Sequence, residues 1–166
     1  MQLAVKTSTE RHLVEISVGP KKRRQCAALP NATKVAYLAV ESFDHVRKIF
    51  AQARGNLGEI LSAFEFIDAA CAQTLADNLN LHPPIDPSPF ALFIETHGSN
   101  IDHDQEKLEN FVELVMENGL VIDGTVADDS SKISHLWGLR ERMAEALQRD
   151  GYVYKVGFSY ILYTNV

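Results

Sequence analysis

Arg140 is the residue whose position asks for chemistry. It sits in LWGLRERMAEALQRDGYVYK, residues 136–155. At about 100° per residue, Ile133, Leu136, Trp137, Met143, Ala144 and Leu147 fall on one stripe of a helix. Arg140 falls near the middle of that stripe, while Arg142 and Arg149 point the other way. A guanidinium facing a core must meet an anion or several carbonyls, because an unpaired buried charge is strongly destabilising. Two partners are open. An internal ion pair needs an acid such as Glu65, on an otherwise apolar strand, or Glu95. Alternatively, Arg140 floors a cleft and binds a carboxylate ligand bidentately. The pattern alone leans to the internal pair, because structural ion pairs also occupy such positions.

The other reactive side chains are less pointed. Lys155 ends a short aromatic strand, Tyr152-Val153-Tyr154-Lys155. A lysine there is ordinarily solvated, and it gains interest only if it converges with Arg140 on one anion. His97 and His103 each lie in a polar turn with no ligand constellation, so neither marks a metal site. Cys26 and Cys71 have no metal or redox spacing, which fits a reducing compartment or simple core use.

The elements that position these residues follow a regular order after Thr33. Residues 34–40 (KVAYLAV) read as a strand, and Ser42 can cap a helix carrying Phe43, Val46, Ile49, Phe50 and Ala53, closed by Gly55. Residues 59–67 (EILSAFEFI) read as a second strand. Ile60, Ser62, Phe64 and Phe66 share one face there, and Leu61, Ala63, Glu65 and Ile67 the other. Asp68 can cap a short helix to about Leu79, and the prolines between His82 and Pro89 make a loop. Residues 90–96 form a third strand. Asp102 with Gln105 resembles a capping box for a helix bearing Leu108, Phe111, Val112 and Val115, which Gly119 stops. Residues 120–125 form a fourth strand, a last helix runs from about Ser130 to Arg149, and Tyr152 begins another strand. This order predicts an α+β fold: a ferredoxin-like sandwich, incomplete, with a mainly antiparallel sheet and helices on one face.

The whole-chain totals set limits. With 166 residues, 46% hydrophobic, the chain is long enough for one domain with a sizeable core. A net charge of −6 argues against broad nucleic-acid binding. The basic run Lys21–Arg24 reads as a solvated linker. No apolar run is long enough for a membrane span, and no targeting leader is evident.

LSAFEFIDA (61–69), IETHGSNIDHDQEKLENFVE (94–113), DGTVADD (123–129) and the 136–155 segment resemble, in order and spacing, one known family. It is the FAD-linked D-2-hydroxyacid oxidases, and the likeness is to their carboxyl-terminal substrate domain, as found in D-2-hydroxyglutarate dehydrogenases. The resemblance implies oxidation of a D-2-hydroxyacid to the 2-oxoacid, with the hydride passing to FAD and then electrons to an acceptor the sequence does not identify. It implies that Arg140 and Lys155 bind the carboxylates of D-2-hydroxyglutarate or a related acid, and that the location is mitochondrial. It assigns no catalytic residue within this chain. Where the family often has a threonine four residues after the arginine, this sequence has Ala144, which leaves the exact acid open.

On this reading residues 1–33 are the end of an FAD domain with a basic linker. Residues 34–155 are a partial substrate domain, and 156–166 a divergent tail. FAD and a divalent metal such as zinc are implied by the family, but the glycine-rich loops and histidine-rich metal motif that would hold them are not in this sequence. The expectation is a fragment or isoform of such an enzyme, inactive alone. The alternative is a non-catalytic α+β module that binds a small carboxylate or a protein partner.

Overall fold

The computed structural model describes residues 32–127 and 129–153. Nine elements follow one another: β1 (Ala32–Val40), α1 (Phe43–Asn56), β2 (Leu61–Asp68), α2 (Ala69–Leu79), β3 (Phe90–Gly98), α3 (Ile101–Glu117), β4 (Asp123–Ala127), α4 (Ser130–Glu141) and α5 (Met143–Asp150). The strands form one sheet in the order β2-β3-β1-β4, and every neighbouring pair is antiparallel. This arrangement bears out the α+β class and the antiparallel sheet. Two β-α-β units interleave, so the central strands β1 and β3 come from different units.

The sheet is buried on both faces. Ala36, Leu38 and Val40 of β1, Phe64 and Phe66 of β2, and Leu92 and Ile94 of β3 pack with Val46, Ile49 and Ala53 of α1 and Leu108, Phe111 and Val115 of α3. This is the helical face that the sequence predicts. The opposite strand faces carry Val35, Tyr37, Ile67, Ala91 and Phe93, and they meet Leu75 of α2, Leu136 and Leu139 of α4, and Met143 and Ala146 of α5. Helices on one face therefore describe only the two crossover helices; the inserted α2 and the final α4 and α5 cover the other. The reason is visible in β1, whose apolar residues run without interruption and so need a cover on each side. Each large side chain fully buried in these layers contributes about 1.5–3 kcal/mol. Cys71 packs at the edge of the second core, as expected of simple core use. Burial first, and then the neighbouring Asp68 carboxylate, push its thiol pKa up to about 11.

Helix starts follow local chemistry. Ser42, Asp68, Asn100 and Asp129 each accept a hydrogen bond from the backbone N–H three residues on, satisfying a donor the helix itself leaves open. Asn100, not Asp102, caps α3, and the buried Asp104 carboxylate accepts from the Asn100 backbone N–H at 3.0 Å. Gly55 lies inside α1, which runs to Asn56. The single helix predicted over 130–149 is interrupted at Arg142, and β4 begins at Asp123 rather than Leu120. Tyr152 and Val153 are not in a strand. Lys155, the divergent tail and residues 1–31 lie outside the described residues.

Candidate functional site

The site forms where one end of β2 and β3 meets α4. Leu61 pairs with Thr96 and Ala63 with Glu95, so Ser62 is an extra residue in β2. Strict alternation would send Ser62 toward the α1–α3 core with Phe64 and Phe66. The bulge reverses the phase. Leu61 enters that core instead, and Ser62 emerges on the opposite side, with its Oγ 3.1 Å from Glu95 Oε1 and 3.2 Å from His97 Nδ1. The face assignment expected for Leu61 and Ser62 is therefore exchanged.

β3 delivers Glu95 and His97 to the same side, two residues apart as the strand period requires. The Glu95 carboxylate has three partners. Its Oε1 receives Ser62 and faces His97 Nε2 at 2.8 Å, and its Oε2 accepts from Trp137 Nε1 at 2.6 Å. His97 thus belongs to β3, not to the polar turn. Trp137 also stacks on Phe93, with ring centroids 6.0 Å apart.

Arg140 follows Trp137 on α4 at the i, i+3 spacing that puts both on one face. The buried stripe of α4 and α5 is Leu136, Leu139, Met143 and Ala146. Arg140 lies beside it, not at its centre, because Leu139 and Ala146, rather than the half-buried Trp137, Ala144 and Leu147, carry the fully buried line. Its Nε donates to Glu65 Oε2. Glu65 is only 2% exposed, while the Arg140 side chain is 31% exposed. Both readings of the arginine therefore meet in one place: it is ion-paired inward and open outward. A cleft of about 310 Å³ is lined by Ser62, Ala63, Glu65, Glu95, Trp137, Arg140 and Glu141.

This lining suits recognition more than bond chemistry. Arg140 has five N–H donors, and Glu65 takes the one on Nε. Glu141 is exposed at the rim. Ala144 is half-buried on α5. Among the described residues no three His, Cys, Asp or Glu side chains are grouped to hold a metal ion. Among them, too, no helix is long and apolar enough to cross a membrane. Sequence reasoning picks out Arg140, Glu65 and Glu95, but not Ser62, His97 or Trp137 as parts of one site. The one signal for these is a polar serine out of place in an apolar strand.

The family of FAD linked oxidases, C-terminal domain, matches residues 29–160. The chain belongs to this family. It is 51% identical over 134 residues to the mitochondrial D-2-hydroxyglutarate dehydrogenase of Rattus norvegicus, covering 81% of this chain and 25% of that protein. The corresponding protein of Danio rerio is 52% identical with the same coverage. A D-2-hydroxyglutarate–pyruvate transhydrogenase of Saccharomyces cerevisiae is 36% identical over 135 residues, 80% of this chain and 27% of the relative. The chain thus spans about a quarter of the length of the curated relatives it matches. Within the FAD-linked oxidase C-terminal domain, the matched region takes in β1 to α5 and with them the whole cleft.

Proposed function

We propose that this chain supplies a substrate-binding wall of an FAD-dependent D-2-hydroxyacid dehydrogenase of the mitochondrion, acting on D-2-hydroxyglutarate or a closely related acid. The observation that carries the reading is Arg140. Glu65 holds the guanidinium by Nε, and the remaining donors, on Nη1 and Nη2, suit the paired oxygens of a carboxylate. The cleft beside it is walled by Trp137. Lys155 takes the second carboxylate of a dicarboxylic substrate. The family resemblance and the relatives' names support the choice of acid.

In such an enzyme, bound FAD supplies the hydride acceptor. No described residue is assigned to hold it, and none fits the divalent metal. The contribution of these residues is to bind and orient. Arg140 fixes one end of the acid, Glu65 fixes Arg140, and Trp137 shields the site from water. The chain alone is therefore expected to bind a hydroxyacid without oxidising it.

Calorimetry with D-2-hydroxyglutarate and D-lactate tests the proposal. The dicarboxylate is expected to bind more tightly. Arg140→Lys keeps a charge but loses the fork, and should weaken binding on the order of tenfold. Lys155→Ala should erase most of the preference for the dicarboxylate. Affinities unchanged in both variants would remove the two residues from the site.

A further inference from the structure

The cleft beside Arg140 is short of positive charge. Its lining holds three carboxylates, on Glu65, Glu95 and Glu141, and one guanidinium, on Arg140. Two of the carboxylates are engaged. Glu65 accepts from Arg140 Nε, and Glu95 accepts from Ser62 Oγ at 3.1 Å and from Trp137 Nε1 at 2.6 Å. Glu141 differs from both. It is exposed at the cleft rim, and among the described residues its carboxylate has no ion pair and no hydrogen bond. The cations on either side of it in the chain are taken. Arg140 is paired with Glu65, and Arg142 donates to both oxygens of Glu145 at 2.8 and 2.9 Å. The cleft is small, about 310 Å³. Any acid seated on Arg140 therefore lies within a charge-screening length of Glu141, about 8–10 Å at moderate salt.

We infer that Glu141 is a specificity-determining residue of the cleft: its unpaired carboxylate tolerates one carboxylate at Arg140 and disfavours a second one held inside. The inference rests on the carboxylate-binding role proposed for Arg140. Glu65 already offsets the charge of Arg140, so the free Nη donors hold an acid by direction more than by net attraction. Each negative charge brought into the cleft meets the same repulsion from Glu141, and Coulomb energies add charge by charge. A 2-hydroxyacid with a neutral tail meets it once. A dicarboxylic acid whose tail stays in the cleft meets it twice. One whose tail leads out meets it about once. The cleft therefore favours 2-hydroxyacids that carry no second charge near the carbinol carbon, or that are long enough to take that charge away from Glu141.

Calorimetry on the full chain tests this with D-lactate, D-malate and D-2-hydroxyglutarate, each measured against the wild type and Glu141→Gln. Because each acid is compared with itself, whatever holds its far end cancels. Glu141 is exposed and unbonded, so the variant should keep the wild-type circular dichroism. D-Lactate, with one charge, should gain about threefold in affinity. D-Malate, whose second carboxylate is one methylene from the carbinol carbon, should gain about tenfold, close to the square of that factor. D-2-Hydroxyglutarate, one methylene longer, should gain no more than D-lactate. At about 1 M salt, where the screening length falls to about 3 Å, the gains should vanish; a change of shape in the cleft would survive the salt. Equal gains for D-malate and D-lactate, no gain for either, or gains that persist in salt overturn the inference. Arg140→Lys separates the two readings. If it weakens none of the acids, the role of Arg140 falls and this inference with it. If it weakens them while Glu141→Gln leaves them unchanged, this inference alone is overturned.

Discussion

At the scale of single residues, Arg140 shows how one side chain serves structure and recognition together. Its inward contact is not optional, because Glu65 is 2% exposed and a carboxylate buried there without a cation is costly. Arg140→Ala is therefore expected to lower the unfolding free energy by about 3 kcal/mol. Adding Glu65→Gln should restore part of the loss, since the stranded charge is gone. Urea denaturation of the two variants measures both effects. If the double variant is no more stable than the single one, Glu65 is not the partner that matters. Helical periodicity identifies Arg140 as needing an anion, and the one acid in an apolar strand is among the candidates. It has no means of placing Ser62 or His97 nearby, because the contacts between them depend on a bulge and on pairing across 33 and 35 residues.

At the scale of elements, the bulge in β2 and the start of α3 do the positioning. Gly98 closes β3, and a Cβ there would lie 1.8 Å from the Asp104 carboxylate. That carboxylate is buried and receives the Asn100 backbone N–H. Gly98→Ala must push it aside, and a loss of about 2 kcal/mol is expected. A thermal melt that matches the wild type would show that Asp104 can move without cost. Strand and helix identities are legible because apolar spacing and capping residues are local signals. The sequence pattern puts the α3 cap two residues late, since Asn100 and Asp102 are both competent caps and only the folded chain selects between them. The apolar pattern counts Trp137, Ala144 and Leu147 as fully as the deeply buried line of Leu136, Leu139, Met143 and Ala146, so periodicity puts Arg140 at the centre of the stripe instead of at its edge.

For the whole molecule, the two-sided sheet makes its central residues sensitive to anything that charges them. Tyr37 is buried on β1, with its ring edge-on to Phe93 at 5.0 Å. Burial raises its pKa to about 12. In the unfolded chain a tyrosine ionises near 10. The contribution to stability is therefore full below about pH 10 and is lost as the pH rises through about 12, because only the unfolded state gains by releasing the proton. Denaturation midpoints between pH 9 and pH 12 (the alkaline limb) are expected to fall in the wild type and to fall less in Tyr37→Phe. Equal slopes would place the alkaline sensitivity elsewhere.

The sequence by itself determined the element types, the antiparallel α+β class, the family and the demand for an anion at Arg140. These follow from spacing, caps and motif order, which are properties of neighbours along the chain. Only the tertiary structure decided that both sheet faces are covered, that Ser62 leaves the core, and that Glu65 claims Arg140 while Glu95 claims Trp137. Each of those outcomes depends on which distant strand or helix arrives alongside, and a one-residue change of register exchanges the two faces of a strand.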